Sequence, residues 1–198
     1  MPSISERVGA SDDDAAHSQN NHAFAPLSVA SGMGDTTGSG VTGRGLFVRF
    51  SSVPIPQGAT IQSAIITSLS ADSQSGTVVR LVIEAENADD PSAIVDDTNW
   101  HALARTVASV SWNPGATTLD AEFDTPSLVS IVQELVDRPG WASGQAMQFL
   151  LHDDAQLSDT NAVRWAYTYD NDPAKAGLLI VTYAAAATAK KAILLMGS

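Results

Sequence analysis

The 198-residue sequence contains no cysteine, so neither disulfide bonds nor thiol chemistry contribute to this protein. Basic residues are also scarce, since 10 Lys and Arg stand against 22 Asp and Glu and give a formal net charge of -12. Such a surface repels phosphate backbones and anionic lipids, so we expect no nucleic-acid partner and no membrane partner. Nowhere does the chain contain the run of about 18 apolar residues that a membrane-spanning helix needs.

The N-terminal sequence has neither the basic segment nor the apolar core of a secretory signal. We therefore expect a protein that is made in the cytoplasm. The length fits one domain with a substantial core. We predict an arm over residues 1–5, a single domain over residues 6–184 and a tail of different composition over residues 185–198.

Apolar residues alternate with other residues in two runs, from Leu46 to Phe50 and from Ile61 to Leu69. Alternation of this kind is typical of half-buried strands. Two prolines and Gly58 between the runs indicate a turn. The pattern predicts an antiparallel pair of strands with one buried face.

Further alternating runs predict about nine strands in all, with an edge strand between Glu6 and Ser18. The glycine-rich stretch from Ser31 to Gly45 predicts a loop. Residues 87–106 predict a long loop with one helical turn, anchored by apolar residues (Ile94, Trp100 and Leu103). A helix is expected at about 126–137, because Thr125 and Pro126 precede apolar residues at helical spacing. The predicted fold is all-β, a jelly-roll-like antiparallel β-sandwich with this short helix closing one end.

The motif RFSSVPIPQGATIQSA, residues 49–64, resembles the jelly-roll modules called DNRLRE or disaggregatase-related. Four later segments extend the resemblance over roughly residues 6–184: VIEAENAD at 82–89, SVSW at 109–112, IVQELVDRPGW at 131–141 and YTYD at 167–170. The resemblance implies a shape similar to carbohydrate-binding modules, and such modules occur in bacterial surface proteins and phage virion proteins. It implies no catalytic residues.

Adjacent carboxylates recur in the predicted loops, but none follows the spaced pattern of a calcium-binding loop. We interpret these pairs as solvated turn residues. If calcium binds, Asp89 and Asp90 in the long loop are the candidate ligands.

The four histidines (His17, His22, His101 and His152) lack the spacing that places two ligands on one helix face, so no zinc site is expected. No G-x-S-x-G motif marks a serine nucleophile. Two carboxylates could still converge in space as in glycoside hydrolases, but the sequence singles out no pair. We therefore expect no enzymatic activity.

Trp165, Tyr167 and Tyr169 share one face of a predicted strand. They could form a platform that stacks on glycan rings, although we prefer to interpret them as core residues. The other tryptophans are expected to fill space under loops or at the helix end. Arg49 and Arg164 are expected to point outward, the alternative being buried guanidinium groups paired with Glu84 or Glu134.

The tail after Tyr183 combines an alanine run, two lysines and an apolar end. We predict that it contacts a partner through six residues: Lys190, Lys191, Ile193, Leu194, Leu195 and Met196.

Together these features predict a non-enzymatic structural protein of a phage particle, a capsid decoration or other virion surface component that leaves the cell by lysis. Its expected partners are a major capsid or other virion protein and sister copies. The alternatives are a carbohydrate-binding module that binds a surface glycan, and an accessory domain of a hydrolase or lyase.

Overall fold

The computed structural model describes residues 1–19, 22–39, 41–153, 155 and 157–186. In this part of the chain the alternating sequence runs form twelve strands. They are β1 (Ser3–Arg7), β2 (Asp14–Ser18), β3 (Ala23–Ala25), β4 (Ala30–Thr36), β5 (Val41–Phe50), β6 (Thr60–Leu69), β7 (Leu81–Ala85), β8 (Val110–Trp112), β9 (Glu122–Asp124), β10 (Met147–Asp153), β11 (Val163–Tyr167) and β12 (Leu178–Ala184). Two α-helices accompany them, α1 (Asp97–Ala102) and α2 (Val129–Val136).

The strands form two antiparallel sheets that pack face to face. The small sheet has the order β1-β12-β6-β9. The large sheet has the order β11-β4-β5-β10-β7-β8, and β2 pairs with both β5 and β3. The predicted all-β, jelly-roll-like sandwich is therefore confirmed.

The expected antiparallel pair of β5 and β6 is wrong, because the two strands lie in different sheets. β5 pairs with β10, β2 and β4 in the large sheet, whereas β6 pairs with β12 and β9 in the small sheet. The segment between them is a crossover rather than a hairpin turn. Both strands contribute apolar side chains to the space between the sheets.

The main core lies between the two sheets, and α2 closes one end of it. Four residues of α2 are buried in this core: Ile131, Val132, Leu135 and Val136. The helix begins at Val129, later than predicted. Thr125 does not cap it, because its hydroxyl accepts the Ile66 N–H at 3.0 Å and so extends the edge of the small sheet.

The glycine-rich stretch predicted as a loop contains β4 and the beginning of β5. Glycine is needed in β4 because neighbouring groups occupy the space of a side chain. A Cβ at Gly32 would lie about 3.1 Å from the Trp165 ring on β11, directly across the strand pair. A Cβ at Gly34 would overlap with the carbonyl oxygen of Ala162.

Residues 1–5 do not form a free arm, because Ser3–Arg7 is β1 and pairs with β12 at the edge of the small sheet. The predicted edge strand over 6–18 is divided between β1 and β2, with a short 3-10 turn at Ser11–Asp13. The domain boundary predicted at residue 184 coincides with the end of β12. The six predicted tail contacts, from Lys190 to Met196, lie outside the described residues. In the part of the chain that the structure describes, no helix has the length and apolar character needed to cross a membrane.

Candidate functional site

A second, smaller core covers the outer face of the large sheet. β5 and β10 each alternate, so Leu46 and Leu151 face the main core while Phe47 and Leu150 face away from it. The loop before β8 covers these outward residues with buried side chains, chiefly Ile94 and Trp100. The anchors predicted for this loop are confirmed, since Leu103 also packs against this cluster.

The short helix α1 forms within this loop. Asp96 caps it, because its carboxylate accepts the Asn99 N–H at 2.8 Å. Trp100 holds the helix on the sheet and is 1% exposed. Asp97 and His101 stand one helical turn apart, so both side chains lie on the same face of α1.

All four histidines of the sequence lie around this helix. His17 is on β2, His22 follows in the turn to β3, His101 is on α1 and His152 is on β10. Three of them contact one carboxylate. His17 Nε2 lies 2.9 Å and His101 Nε2 3.3 Å from Asp97 Oδ1, and His22 Nδ1 lies 2.8 Å from Asp97 Oδ2. Asp97 is therefore the centre of the cluster.

His17 is the buried member of this cluster. Its ring stacks on Trp100 with the centroids 4.1 Å apart and the planes 9° from parallel. Burial lowers the pKa of His17 to about 4, despite the opposing hydrogen bond with Asp97. The imidazole is therefore neutral at pH 7.

The carboxyl group of Asp97 is partly desolvated, which alone would raise its pKa. Hydrogen bonds with His17 and His22 outweigh this effect and lower the pKa overall. Asp97 is therefore a carboxylate at neutral pH and can act as an acceptor or a ligand.

The fourth histidine, His152, belongs to a neighbouring network. Its Nε2 lies 3.3 Å from Glu84 Oε2, and Arg105 Nη1 lies 3.1 Å from the same oxygen. The hydrogen bond with His152 is the main cause that lowers the pKa of Glu84. Arg105 also lies over the Trp100 ring, 5.5 Å from its centroid, so this network borders the histidine cluster.

An open cavity of 370 Å³ lies beside α1. It is lined by Glu86, Ser92, Ala93, Ile94, Asn99, Ala102, Leu103 and Ala104. Burial raises the pKa of Glu86, and this carboxyl accepts a hydrogen bond from Gln148 at 2.7 Å. The cavity and the histidine cluster therefore use different residues around the same helix.

The candidate calcium ligands Asp89 and Asp90 each contact a different group of the protein. Asp89 forms an ion pair with Arg138 at 2.7 Å. Asp90 accepts the Ala146 N–H at 2.9 Å. Both contacts connect the long loop to the segment after α2, and calcium binding at these residues stays a prediction.

We interpreted Trp165, Tyr167 and Tyr169 as core residues, but the two on β11, Trp165 and Tyr167, are not part of the core. Trp165 and Tyr167 are half-buried and belong to neither apolar cluster, whereas Tyr169 packs partly against the main core. Arg44 lies over the Trp165 ring at 5.3 Å, and Lys175 over the Tyr167 ring at 4.2 Å. The other tryptophans are buried as expected (Trp100, Trp112 and Trp141).

The expectation for Arg164 is wrong, because this residue is 1% exposed. Its guanidinium donates to the carbonyls of Gly115, Val163 and Thr77 at 2.6–2.9 Å. Arg49 is half-buried and pairs with Asp13 at 2.5 Å, rather than with Glu84 or Glu134.

Compared with known protein families and with curated proteins, the sequence matches none. The resemblance to DNRLRE modules therefore stays a prediction from the quoted motifs.

The histidine cluster was missed because we considered only pairs of histidines at helical spacing. Asp97 and His101 carry the equivalent signal for a carboxylate and a histidine, at positions i and i+4. His17 and His22 come from a different part of the chain, so their approach to this pair depends on tertiary structure.

Proposed function

We propose that this chain is a non-enzymatic structural component of a phage particle, a capsid decoration or another virion surface protein that docks through its two ends. The observation that supports this function is that the N-terminal residues lie beside the end of β12, the last strand of the described residues. Ser3 pairs with Thr182, and the Tyr183 N–H donates to the Pro2 carbonyl at 3.1 Å. The chain enters its last segment from this position, so both ends can contact the same partner surface.

The sandwich is suited to this role because its loops are held by charged contacts. Arg138 pairs with Asp89, and Lys175 pairs with Asp120 at 2.5 Å. The resemblance to modules of phage virion proteins supports the same proposal. Its partners would be a major capsid or other virion protein and sister copies of this chain.

Deletion of residues 190–198 tests the docking. We expect the full chain to co-sediment with phage particles prepared without it, and the deletion variant to remain in the supernatant with an unchanged circular dichroism spectrum. Trp165→Ala is the matched control and should still attach. Attachment of the deletion variant at the level of the full chain would refute docking through the tail, and failure of the full chain to attach would refute the function.

Carbohydrate binding is the second candidate function, and the position of Trp165 and Tyr167 favours it. The two residues stand at i and i+2 of β11, so their side chains share the outer face and their backbone positions are about 7 Å apart. Half-exposed aromatic rings in such a row are suited to stacking on sugar rings.

Retention on insoluble polysaccharides tests this alternative. Trp165→Ala and Tyr167→Ala should each abolish retention, while the far-ultraviolet circular dichroism spectrum shows that each variant is still folded. Leu119→Ala, which removes an exposed apolar side chain elsewhere, is the control. Retention that survives both aromatic substitutions, or a chain that no polysaccharide retains, would contradict glycan binding.

A further inference from the structure

The cluster of His17, Asp97 and His101 has the spacing of a metal site. One donor atom from each residue lies within 4.8 Å of the other two. Asp97 Oδ1 lies 2.9 Å from His17 Nε2 and 3.3 Å from His101 Nε2. Ligand atoms of tetrahedral zinc stand about 3.3 Å apart, because each bond is about 2.0–2.1 Å long. A zinc ion therefore requires only small side-chain movements.

The chemistry of the donors selects the class of metal. Two imidazole nitrogens and one carboxylate oxygen suit zinc and similar divalent transition metals, whereas calcium and magnesium prefer oxygen ligands.

The surroundings hold these donors in place before any ion binds. Trp100 stacks on His17 and fixes the plane of its ring. His22 contacts the second oxygen of Asp97, as the outer partners of metal-binding carboxylates do. His22 has a left-handed backbone with φ of 52°, a conformation that is costly for a residue with a side chain and is found frequently at functional sites.

We propose that His17 Nε2, Asp97 Oδ1 and His101 Nε2 bind one zinc ion on the outer face of the large sheet, with His22 orienting Asp97. The fourth position takes water, because His101 and His22 are 49% and 67% exposed and leave this side of the cluster open to solvent. The ion connects the segment from β2 to β3 with α1, two parts of the chain that are far apart in sequence. Zinc therefore stabilises the long loop that carries α1.

Titration with zinc chloride tests the proposal on the full, untagged chain after treatment with EDTA and dialysis. We expect one zinc ion per chain by calorimetry, at micromolar or lower Kd, and a higher unfolding midpoint with zinc than with EDTA. Cobalt(II) should bind at the same stoichiometry and give the visible absorption of a tetrahedral site. Calcium and magnesium should not compete at equal concentration.

Four variants locate the site. Asp97→Asn and His101→Ala should each weaken zinc binding by at least about tenfold, and His22→Ala by about 10–100-fold, because outer partners of ligands contribute on this scale. His152→Gln is the matched control, since it removes a nearby histidine that is not a ligand, and its Kd should not change. Circular dichroism identifies variants that fail to fold, and the exposed His101 is the substitution that the fold tolerates best.

Three results would overturn the proposal. The first is no zinc binding by the folded native chain at 100 µM zinc. The second is an unchanged Kd in both folded Asp97→Asn and folded His101→Ala. The third is a loss of binding in His152→Gln as large as in His101→Ala, which would indicate adsorption to any exposed imidazole.

Discussion

Several buried charged residues connect strands and loops. Arg164 is the clearest case, because its guanidinium donates to the carbonyls of Gly115 and Thr77 in two other segments and to that of Val163 on its own strand. A buried charge is tolerated when its hydrogen-bonding groups are satisfied in this way. The outward orientation expected for Arg164 fails because backbone carbonyls, chiefly those of Gly115 and Thr77, satisfy the guanidinium in the interior.

Asp14 is a second buried charge and gives the molecule a specific pH dependence. It is 1% exposed, and one oxygen accepts the Tyr169 N–H at 2.8 Å. Burial raises the pKa of Asp14 to about 7, and the nearby Asp170 and Asp13 add to the effect. An unfolded chain has an aspartate pKa of about 3.9. Between about pH 4 and pH 7 the folded state therefore holds a proton that the unfolded state has released.

The difference in proton binding between the folded and unfolded states sets the direction of the pH dependence. Because the folded state binds more protons in this window, the Asp14 contribution to the free energy of unfolding falls as pH rises through it and is lowest above about pH 7. We predict that Asp14→Asn stabilises the protein at pH 8 by on the order of 1–2 kcal/mol and changes stability much less at pH 4. The amide oxygen can still accept the Tyr169 N–H.

Urea unfolding at pH 4 and pH 8 measures the difference. Asp12→Asn, at an exposed neighbouring position, controls for the loss of one negative charge. A variant that is less stable than the natural sequence at pH 8 would contradict the assignment, since it would mean that the charged carboxylate is favoured in the fold.

Among the strands, the pairing of β4 with β11 depends on two glycines of β4, Gly32 and Gly34. Gly32 leaves room for the ring of Trp165, which lies directly across the strand pair from it. Gly34 has φ of 119° and lies close to the Ala162 carbonyl, at the irregularity where β4 changes register against β5. Both glycines are structural parts of the strand.

We predict that Gly34→Ala destabilises the protein by more than about 2 kcal/mol, because the new Cβ combines backbone strain with overlap against a carbonyl. Chemical denaturation measures the change. Gly115→Ala is the control, since a Cβ there meets nothing within 4 Å, and it should stay within about 0.5 kcal/mol of the natural sequence. Equal stability of the two variants would show that β4 does not pack against residue 162 as described.

At the scale of the whole molecule, one core joins the two sheets. Phe50 and Phe149 reach it from the large sheet, and Ile66 and Val181 reach it from the small sheet. Neither sheet can keep its buried face away from water without the other. The crossover between β5 and β6 also joins the sheets covalently near the middle of each.

We therefore predict a single cooperative unfolding transition, with the same midpoint by tryptophan fluorescence and by far-ultraviolet circular dichroism. Ile66→Ala should lower the free energy of unfolding by about 2–5 kcal/mol and shift both signals equally, although Ile66 lies in the small sheet only. Separate midpoints for the two signals, in either protein, would contradict a shared core.

The sequence alone determined the local structure wherever side-chain periodicity was strong. Alternation identified β5, β6, β7 and β12, and spacing at three and four residues identified α2, because these patterns record which side of an element faces apolar surroundings. The absence of cysteine likewise excluded disulfide bonds and thiol chemistry. For the same reason the all-β class and the anchoring of the long loop by Trp100 could be predicted.

Only the tertiary structure decided which strands are partners and which polar residues meet. Alternation tells that β5 buries one face, but it does not tell whether β6 or β10 lies beside it. The glycines of β4 belong to a strand only because Trp165 and Ala162 occupy the space beside them. His17 and Asp97 are 80 positions apart, so their contact depends on the path of the whole chain rather than on any local pattern.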